Sequence, residues 1–296
     1  MSYNSGMPEL PEVETIRIGL SQHLIGQTIK SVDVLWSKFL DAEQVSSAVI
    51  GQTITGLERR AKVLIIQLSN GYSLLVHLKM TGQMVLVQKG GERFAGGHPT
   101  GSMAEKLPDK STRIVFNFAG GDQLFFNDQR KFGWIQLLPT AEVLGHELVA
   151  RLGPEPLTDA FTLAGFAAVI KRHPGAPIKA VILDQSTVSG IGNIYADESL
   201  HLAKIHPATR GGDLTSAQIK RLHAAIKTII AAGVEHGGTS FSHYVNALGG
   251  KGDYLDHARV FNQTDRPCPV CGTPIVKIRV AGRGTHFCPK CQKAPK

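Results

Sequence analysis

The chain has 296 residues, of which 42% are hydrophobic, and a formal net charge of +8. Such a length predicts two domains, or one large domain with an appendix, around a sizeable core. The sequence has no run of about 18 apolar residues and no apolar signal segment, so we exclude a membrane span and expect an intracellular protein. The basic excess favours nucleic acid or another polyanion as the partner, with a generic basic protein as an equal alternative.

The first half of the chain predicts one leading helix followed by strands. Residues 11–25 suit a helix, because Pro11 fits a first helical position and the apolar residues fall on one face. Apolar stretches predict strands up to about residue 139, with a hairpin turn at Asn70-Gly71. Residues 88–111 are rich in Gly, Lys and Pro and predict a loop inserted between strands. This half therefore predicts a β-rich domain.

The second half changes to helical periodicity after residues 152–157, which contain two prolines and predict a domain boundary. A cap at Thr215 or Ser216 precedes the longest apolar stripe. A glycine-rich segment, 237–253, then leads to the cysteines at the end of the chain. The predicted helices span residues 162–172, 177–184, 194–203 and 215–235.

All four cysteines lie near the end of the chain, as two Cys-x-x-Cys pairs. Their spacing is typical of a zinc site, in which thiolates on two tight turns complete a tetrahedron. Two disulfides are the alternative, which an intracellular location disfavours. No further ligand lies nearby, so we predict one structural Zn²⁺ held by Cys268, Cys271, Cys288 and Cys291.

Three short motifs contain residues that suit a nucleic-acid contact. In GIGNIYADE, a helix that is capped at Asn193 offers backbone N–H groups to a phosphate, although most such glycine turns only redirect the chain. In NDQRKFG, Arg130 and Phe132 share a face and suit a wedge, although an exposed arginine beside a half-buried phenylalanine is the alternative. In VHLKMTG, His77 and Met80 end a strand, where a satisfied histidine and a core methionine are the simpler interpretations.

The opening stretch MSYNSGMPELPEVET contains a second methionine, Met7, directly before Pro8 and Glu9. A terminal proline is a secondary amine that can attack a sugar carbon and form an iminium, and roughly a tenth of such an amine is free base at neutral pH. Within a chain the same nitrogen is an amide and cannot be a nucleophile. We therefore expect the active chain to begin at Pro8, with residues 1–7 absent from the mature protein and Glu9 acting as acid and base.

The sequence resembles bacterial formamidopyrimidine-DNA glycosylases in five segments that occur in order, namely MPELPEVET, HLKMTG, NDQRKFG, LDQSTVSGIGNIYADE and RGTHFCPKC. The resemblance extends from Met7 to about Gln292, and only MSYNSG and a longer loop at 88–111 depart from the family pattern. It implies an α+β multidomain fold with DNA bound between the domains. Residues 8–150 would form an N-terminal catalytic β-sandwich with flanking helices. Residues 158–260 would form a helix–two-turns–helix domain with a lesion-capping loop, and residues 261–296 a zinc-bound β-hairpin finger.

The resemblance also implies a bifunctional DNA glycosylase and AP lyase of base-excision repair, which removes 8-oxoguanine and formamidopyrimidines and cuts the strand by β,δ-elimination. Pro8 would form the Schiff base, and Glu9 would move protons at the opening sugar ring. Glu12 matches a glutamate also linked to catalysis, with a structural role in the first turn of the helix as the alternative. Lys62 matches a lysine near the lesion phosphate, and Arg283 a finger residue that grips the DNA backbone there.

Damaged double-stranded DNA is the partner that the resemblance implies. His77 and Asn193 match residues that grip the backbone around the everted nucleotide. Met80, Arg130 and Phe132 match the side chains that fill the gap left by base flipping. We expect a monomer in the bacterial cytoplasm, associated with the nucleoid through DNA binding.

Two other functions stay open. An endonuclease VIII-like glycosylase for oxidised pyrimidines shares the architecture, but ELPEVET and the 237–257 segment, which resembles the capping loop of purine-specific members, favour the purine branch. A catalytically silent binder of damaged DNA is expected if the extension is retained, because the nitrogen of Pro8 then stays acylated.

Overall fold

The structure, a computed structural model, describes residues 7–37, 47–98, 105–239 and 252–295. These residues form two compact units. The first contains the described residues up to Ala150 and those between His236 and Asp253, and the second contains Arg151–Glu235 and the described residues from Tyr254 onward. The domain ranges predicted from the sequence stay predictions, and the expected extension lies outside the described residues except for Met7.

The first unit is a sandwich of two antiparallel sheets with one leading helix. Helix α1 (Leu10–Leu24) begins one residue earlier than predicted. One sheet has the strand order β1-β7-β8-β5-β6 and the other has the order β2-β3-β4-β9. The strands are β1 Ile29–Val34, β2 Ile54–Arg60, β3 Val63–Leu68, β4 Tyr72–His77, β5 Gly82–Val87, β6 Arg93–Gly97, β7 Thr112–Phe118, β8 Gln123–Asp128 and β9 Trp134–Pro139.

The core of this unit lies where the inner faces of both sheets and the apolar face of α1 meet. Leu20 from α1, Leu74 from β4 and Phe126 from β8 are among its buried side chains. Burial of such side chains contributes roughly 1.5–3 kcal/mol each relative to exposure. A short 3₁₀ helix (Thr140–Gly145) and helix α2 (Glu147–Ala150) follow β9.

The prediction of a loop over residues 88–111 is wrong in part, because this segment contains β6, an edge strand that pairs with β5. Two of its glycines are needed for close packing. A Cβ on Gly96 would lie 2.3 Å from a side-chain carbon of Ile16 in α1, and one on Gly97 would lie 2.3 Å from the carbonyl oxygen of Gly82. The glycines that suggested a loop are therefore the residues that let α1 and β5 approach this strand.

The second unit is helical and ends in a β-hairpin. Its longest helix, α6, is capped at Thr215, one of the two predicted cap positions. The Thr215 hydroxyl accepts from the Gln218 N–H and the Gln218 side chain accepts from the Thr215 N–H, which makes a capping box. The elements are α3 Leu163–Arg172, α4 Ile178–Leu183, α5 Asn193–Ala203, a 3₁₀ turn Gly211–Asp213, α6 Ser216–Glu235, α7 Tyr254–His257, β10 Val276–Val280 and β11 Arg283–Phe287. The predicted α+β fold class is thus confirmed, and no described helix has the length and apolar character that crossing a membrane requires.

Candidate functional site

Pro8 and Glu9 lie at the amino end of α1, and both are buried. Glu9 is the N-cap and forms a capping box with Glu12: the Glu9 N–H donates to Glu12 Oε2 at 2.9 Å, and the Glu9 side chain accepts from the Glu12 N–H. The positive end of the helix dipole favours carboxylates here and disfavours a protonated amine. This position can therefore hold a proline nitrogen as a free base beside an acidic side chain.

The second carboxylate oxygen of Glu12 binds a different part of the same unit. Glu12 Oε1 accepts from the N–H of Thr239 at 2.8 Å and from its hydroxyl at 3.1 Å. Thr239 belongs to the predicted capping loop, residues 237–257. It immediately precedes residues 240–251 of that loop, which lie outside the described residues. The structure thus gives Glu12, which is 1% exposed, an architectural role that joins the start of α1 to the stem of this segment.

Lys62 lies in the turn between β2 and β3 and is buried. Arg59 fixes this turn to α1, because its Nε donates to Glu14 at 2.7 Å and its Nη1 donates to the carbonyl of Ala61. Burial alone would raise the pKa of Glu14, but hydrogen bonds from Arg17 and Arg59 outweigh it and hold that pKa below its usual value. Helix α1, which Glu9 caps, and the turn that carries Lys62 are therefore held together by charged hydrogen bonds.

His77 ends β4, opposite Val63, and is 7% exposed. Burial, together with the charges of Lys79 and Lys62, lowers the pKa of His77 to about 3, so the ring is neutral at physiological pH. Its Nδ1 accepts from the N–H of Lys79 at 3.0 Å. The neutral ring consequently carries its proton on Nε2, where it can donate to an acceptor such as a phosphate oxygen.

Met80, Arg130 and Phe132 come from two distant parts of the sequence and lie side by side at the surface. The Arg130 guanidinium lies 5.0 Å from the centroid of the Phe132 ring, and its Nη1 is 3.3 Å from the sulfur of Met80. Met80 is 39% exposed and Phe132 is 54% exposed. We call these three side chains the wedge, since they form one apolar and cationic projection that can enter a gap between stacked bases.

In the second unit, Asn193 lies against the turn of the C-terminal hairpin. It is the first residue of α5 rather than its cap, because the N-cap is Gly192; the predicted capping position is wrong by one residue. Asn193 Nδ2 donates to the carbonyl of Gly284 at 3.0 Å. Arg283 is exposed, begins β11 and directly follows Gly282, whose φ is +76°. Asn193 and Arg283 are thus brought to one place.

A buried ion pair that the sequence reasoning missed supports this hairpin. Lys179 and Asp197 are fully buried, and Lys179 Nζ lies 2.6 Å from Asp197 Oδ1. Lys179 also donates to the Thr285 hydroxyl, and Asp197 accepts from the His286 N–H. Removing one partner would leave an uncompensated buried charge, at a cost of about 3–5 kcal/mol. The one sequence signal for this pair is its position: Asp197 lies within the LDQSTVSGIGNIYADE motif, and Lys179 lies four residues before it.

The four cysteines are close enough to hold one metal ion. Their sulfurs lie within 4.8 Å of one another, with Cys268 and Cys291 at 4.0 Å and Cys271 and Cys288 at 3.4 Å. A tetrahedral Zn²⁺ with bonds of about 2.3 Å separates its sulfurs by about 3.8 Å, so the donor set and spacing fit zinc. All four positions are ligands and none remains for a substrate. The predicted structural zinc site is confirmed.

The surroundings of the thiols affect their pKa values in opposite directions. Hydrogen bonds from the side chain and backbone of Thr273 lower the pKa of Cys271 to about 6, whereas burial and the neighbouring sulfurs raise the pKa of Cys291 to about 12. A bound dication would stabilise all four thiolates together, including that of Cys291, whose pKa the neighbouring sulfurs raise. Nε2 of His201 lies 3.4 Å from the sulfur of Cys268, so helix α5 also contacts the metal site.

Comparison with known families accounts for nearly the whole chain. Residues 7–135 match the formamidopyrimidine-DNA glycosylase N-terminal domain, and residues 152–245 match the H2TH domain of the same family. Residues 266–294 match the zinc finger found in FPG and IleRS. The first match begins at Met7, so it includes Pro8 and Glu9.

Individual relatives are similar over their full length. The formamidopyrimidine-DNA glycosylase of Enterococcus faecalis is 42% identical over 97% of this chain and 98% of its own. Two structures of the Lactococcus lactis enzyme are each 36% identical and cover 97% of this chain and all of theirs: a point mutant with Fapy-dG DNA (TM-score 0.86) and the wild type with DNA that contains an oxidised pyrimidine (TM-score 0.84). The chain therefore belongs to the formamidopyrimidine-DNA glycosylase family.

Proposed function

We propose that this protein removes oxidised purines from double-stranded DNA and then cuts the strand, with the Pro8 nitrogen as nucleophile. Family membership supports DNA glycosylase activity in base-excision repair and binding to damaged DNA. The observation that carries the mechanism is the placement of Pro8 beside Glu9 at the amino end of α1. This chemistry requires the active chain to begin at Pro8. We further propose that it acts as a monomer in the cytoplasm.

The first step would replace the base by the enzyme. The lone pair of Pro8 attacks the anomeric carbon, the bond to the base breaks, and the base departs with the proton that the proline nitrogen gives up. Glu9 donates a proton to the ring oxygen, which opens the sugar and leaves an iminium between the proline and the former anomeric carbon. The amino end of α1 beside Pro8 favours its neutral, nucleophilic form, because the positive end of the helix dipole disfavours a charged amine.

The second step would break the strand twice. The iminium acidifies the neighbouring carbon of the sugar, whose proton leaves as the 3′ phosphate is expelled, and a second elimination expels the 5′ phosphate. Water then hydrolyses the remaining iminium and restores the free proline amine. No net oxidation occurs, and the products are a one-nucleotide gap with phosphates at both ends and an unsaturated sugar fragment.

Four side chains would bind phosphates around the lesion. Neutral His77 would donate its Nε2 proton, and Lys62, with its turn fixed by Arg59, would supply a positive charge. Asn193, at the start of α5, and Arg283, on the adjacent hairpin, would bind from the second unit. Such contacts set the register on the DNA but do not identify the damaged base. Glu12 would act by holding Glu9 and Thr239 in place.

The wedge would fill the gap left by the everted nucleotide. We expect Phe132→Ala to weaken binding to a lesion-bearing duplex by about 10-fold to 100-fold, because contact between an aromatic ring and a base contributes about 1–3 kcal/mol. Fluorescence anisotropy with a duplex that carries an uncleavable abasic analogue would measure this. Leu144→Ala, at a 75% exposed apolar residue outside the wedge, is the matched control. Equal affinities for both variants would exclude an intercalating role for Phe132.

Removal of zinc should weaken DNA binding while leaving the Pro8 nitrogen chemically unchanged. Chelation should release one Zn²⁺ per chain, loosen the hairpin and lower affinity about 10-fold or more, because the charge-assisted contacts of Arg283 are each worth about 1.5–3 kcal/mol. A colorimetric zinc assay and circular dichroism would follow the metal and the hairpin independently of activity. Val270→Ala, an exposed position between two ligands, should behave like the parent. Unchanged DNA affinity after stoichiometric zinc release would contradict this prediction.

The substrate class is tested by excision from duplexes that carry 8-oxoguanine or thymine glycol. Preference for 8-oxoguanine supports the purine assignment, and phosphates at both ends of the gap support β,δ-elimination. The Lactococcus lactis relative has been crystallised with DNA that contains an oxidised pyrimidine, which favours pyrimidine lesions as a second candidate substrate. Faster excision of thymine glycol than of 8-oxoguanine would overturn the purine assignment.

A further inference from the structure

We propose that Asp128 and Thr81 are positioning residues that set the geometry of the wedge. This inference rests on the proposed function, since it assigns a task to side chains behind the wedge. Asp128 is 0% exposed and Thr81 is 8% exposed, so neither can contact DNA directly. Their effect has to pass through the exposed residues on either side of them.

The wedge is built on two neighbouring connections between the sheets. Residues 78–81 lead from β4 in the four-stranded sheet to β5 in the five-stranded sheet and carry Met80. Residues 129–133 lead from β8 back to β9 and carry Arg130 and Phe132. The wedge therefore depends on two separate segments whose relative position must be fixed by something other than chain connectivity.

The carboxylate of Asp128 connects these two segments. Its Oδ1 accepts from the Thr81 hydroxyl and, at 3.2 Å, from the N–H of Arg130, while its Oδ2 accepts from the N–H of Gly133 at 2.7 Å. The Thr81 oxygen also accepts from the Arg130 N–H at 3.0 Å. The Thr81 hydroxyl and the Asp128 carboxylate thus bind the second connection near its start, at Arg130, and at its end, at Gly133. Thr81 is also the last residue of the first connection, so the two connections are joined.

The backbone of both connections needs such support. Lys79 has φ +51° and Lys131 has φ +59°, a conformation that residues with a side chain rarely adopt unless the surroundings impose it. The ammonium of Lys131 lies 3.4 Å from the centroid of the Trp36 ring, which holds the outer side of the second connection. Asp128 and Thr81 hold its inner side.

The buried guanidinium of Arg113 lies next to Asp128 and compensates its charge. Arg113 is buried, its Nε donates to the carbonyl oxygen of Asp128 at 2.9 Å, and the Asp128 charge opposes the fall that burial imposes on the pKa of Arg113. An ionised Asp128 can accept at both oxygens, as the geometry requires. An asparagine would present an NH₂ group to a neighbouring N–H or hydroxyl donor.

The test compares Thr81→Val with Thr81→Ser. Valine keeps the shape of threonine but removes the hydroxyl, whereas serine keeps the hydroxyl. We expect Thr81→Val to lower excision from a lesion duplex about 10-fold or more, as for loss of a hydrogen bond to a buried charge, and Thr81→Ser to resemble the parent. Emission of 2-aminopurine beside an uncleavable abasic analogue should rise less with Thr81→Val, since unstacking by the wedge is reduced. Asp128→Asn should act in the same direction.

A second substrate separates positioning from general damage. Borohydride trapping on a single-stranded abasic oligonucleotide has no duplex gap to fill, so Thr81→Val should retain the parental yield there. Equal losses on both substrates, or a Thr81→Val variant that matches the parent on the duplex, would overturn the proposal. If the parent itself is not trapped, the proposed Pro8 chemistry fails instead, and the 2-aminopurine signal still decides the role of Thr81.

Discussion

A chain that begins at Pro8 is expected to be cross-linked by borohydride to an abasic oligonucleotide, whereas a chain that keeps residues 1–7 is not. The difference lies in one nitrogen, which is a secondary amine in the first chain and an amide in the second. Retention of the extension should lower single-turnover excision by on the order of 10³-fold or more, as removal of a nucleophile does in other enzymes. Intact-mass spectrometry would establish which N-terminus each preparation has.

The surroundings of Pro8 predict that its amine is reactive once residues 1–7 are removed. The amino end of α1 contributes a partial positive charge that disfavours protonation of this amine, an effect of about 0.3–1 kcal/mol. A protease-removable extension placed before Pro8 gives a matched control, because one preparation can be assayed before and after cleavage. Parental strand cleavage by molecules whose Pro8 is still acylated would refute the mechanism.

The second large effect is expected from Glu9→Gln, which should lower base excision by about 10²-fold to 10⁴-fold through loss of the proton donor at the sugar ring. The amide oxygen of glutamine can still accept the N–H of Glu12, so the capping box and the fold should survive. Single-turnover excision of 8-oxoguanine measures the chemical step, and a thermal melt checks the fold.

An abasic duplex provides the comparison for Glu9→Gln. An abasic sugar exists partly as an open aldehyde, so Pro8 can form the iminium without a proton donor at the ring oxygen. Trapping on that substrate should therefore fall much less than base excision. If the variant excised 8-oxoguanine like the parent, or lost trapping and excision to the same degree, Glu9 would not have the assigned role.

The features that the sequence predicted correctly have a local cause. The Thr215 cap and the apolar stripe that follows it predict helix α6, and the Asn70-Gly71 pair predicts the turn between β3 and β4, because caps and turns depend on neighbouring residues. The zinc ligands were predicted for the same reason, since each pair occupies one turn.

The features that were missed depend on residues far apart in the chain. Strand β6 was taken for a loop because Gly96 and Gly97 suggest one, and their function becomes visible only when Ile16 and Gly82 lie against them. The link between Thr81 and Asp128 likewise depends on the pairing of β5 with β8, which local patterns do not specify. The NDQRKFG pattern and the family resemblance predict the members of the wedge but not Thr81 and Asp128, which hold it.

The capping box has a consequence for maturation. Glu12 accepts from the N–H of Glu9, one residue inside the proposed new terminus. Trimming at Pro8 would therefore change the reactivity of the protein while leaving this hydrogen bond intact. Folding and activation can then be separate events, and a precursor could reach its final shape before an aminopeptidase switches it on.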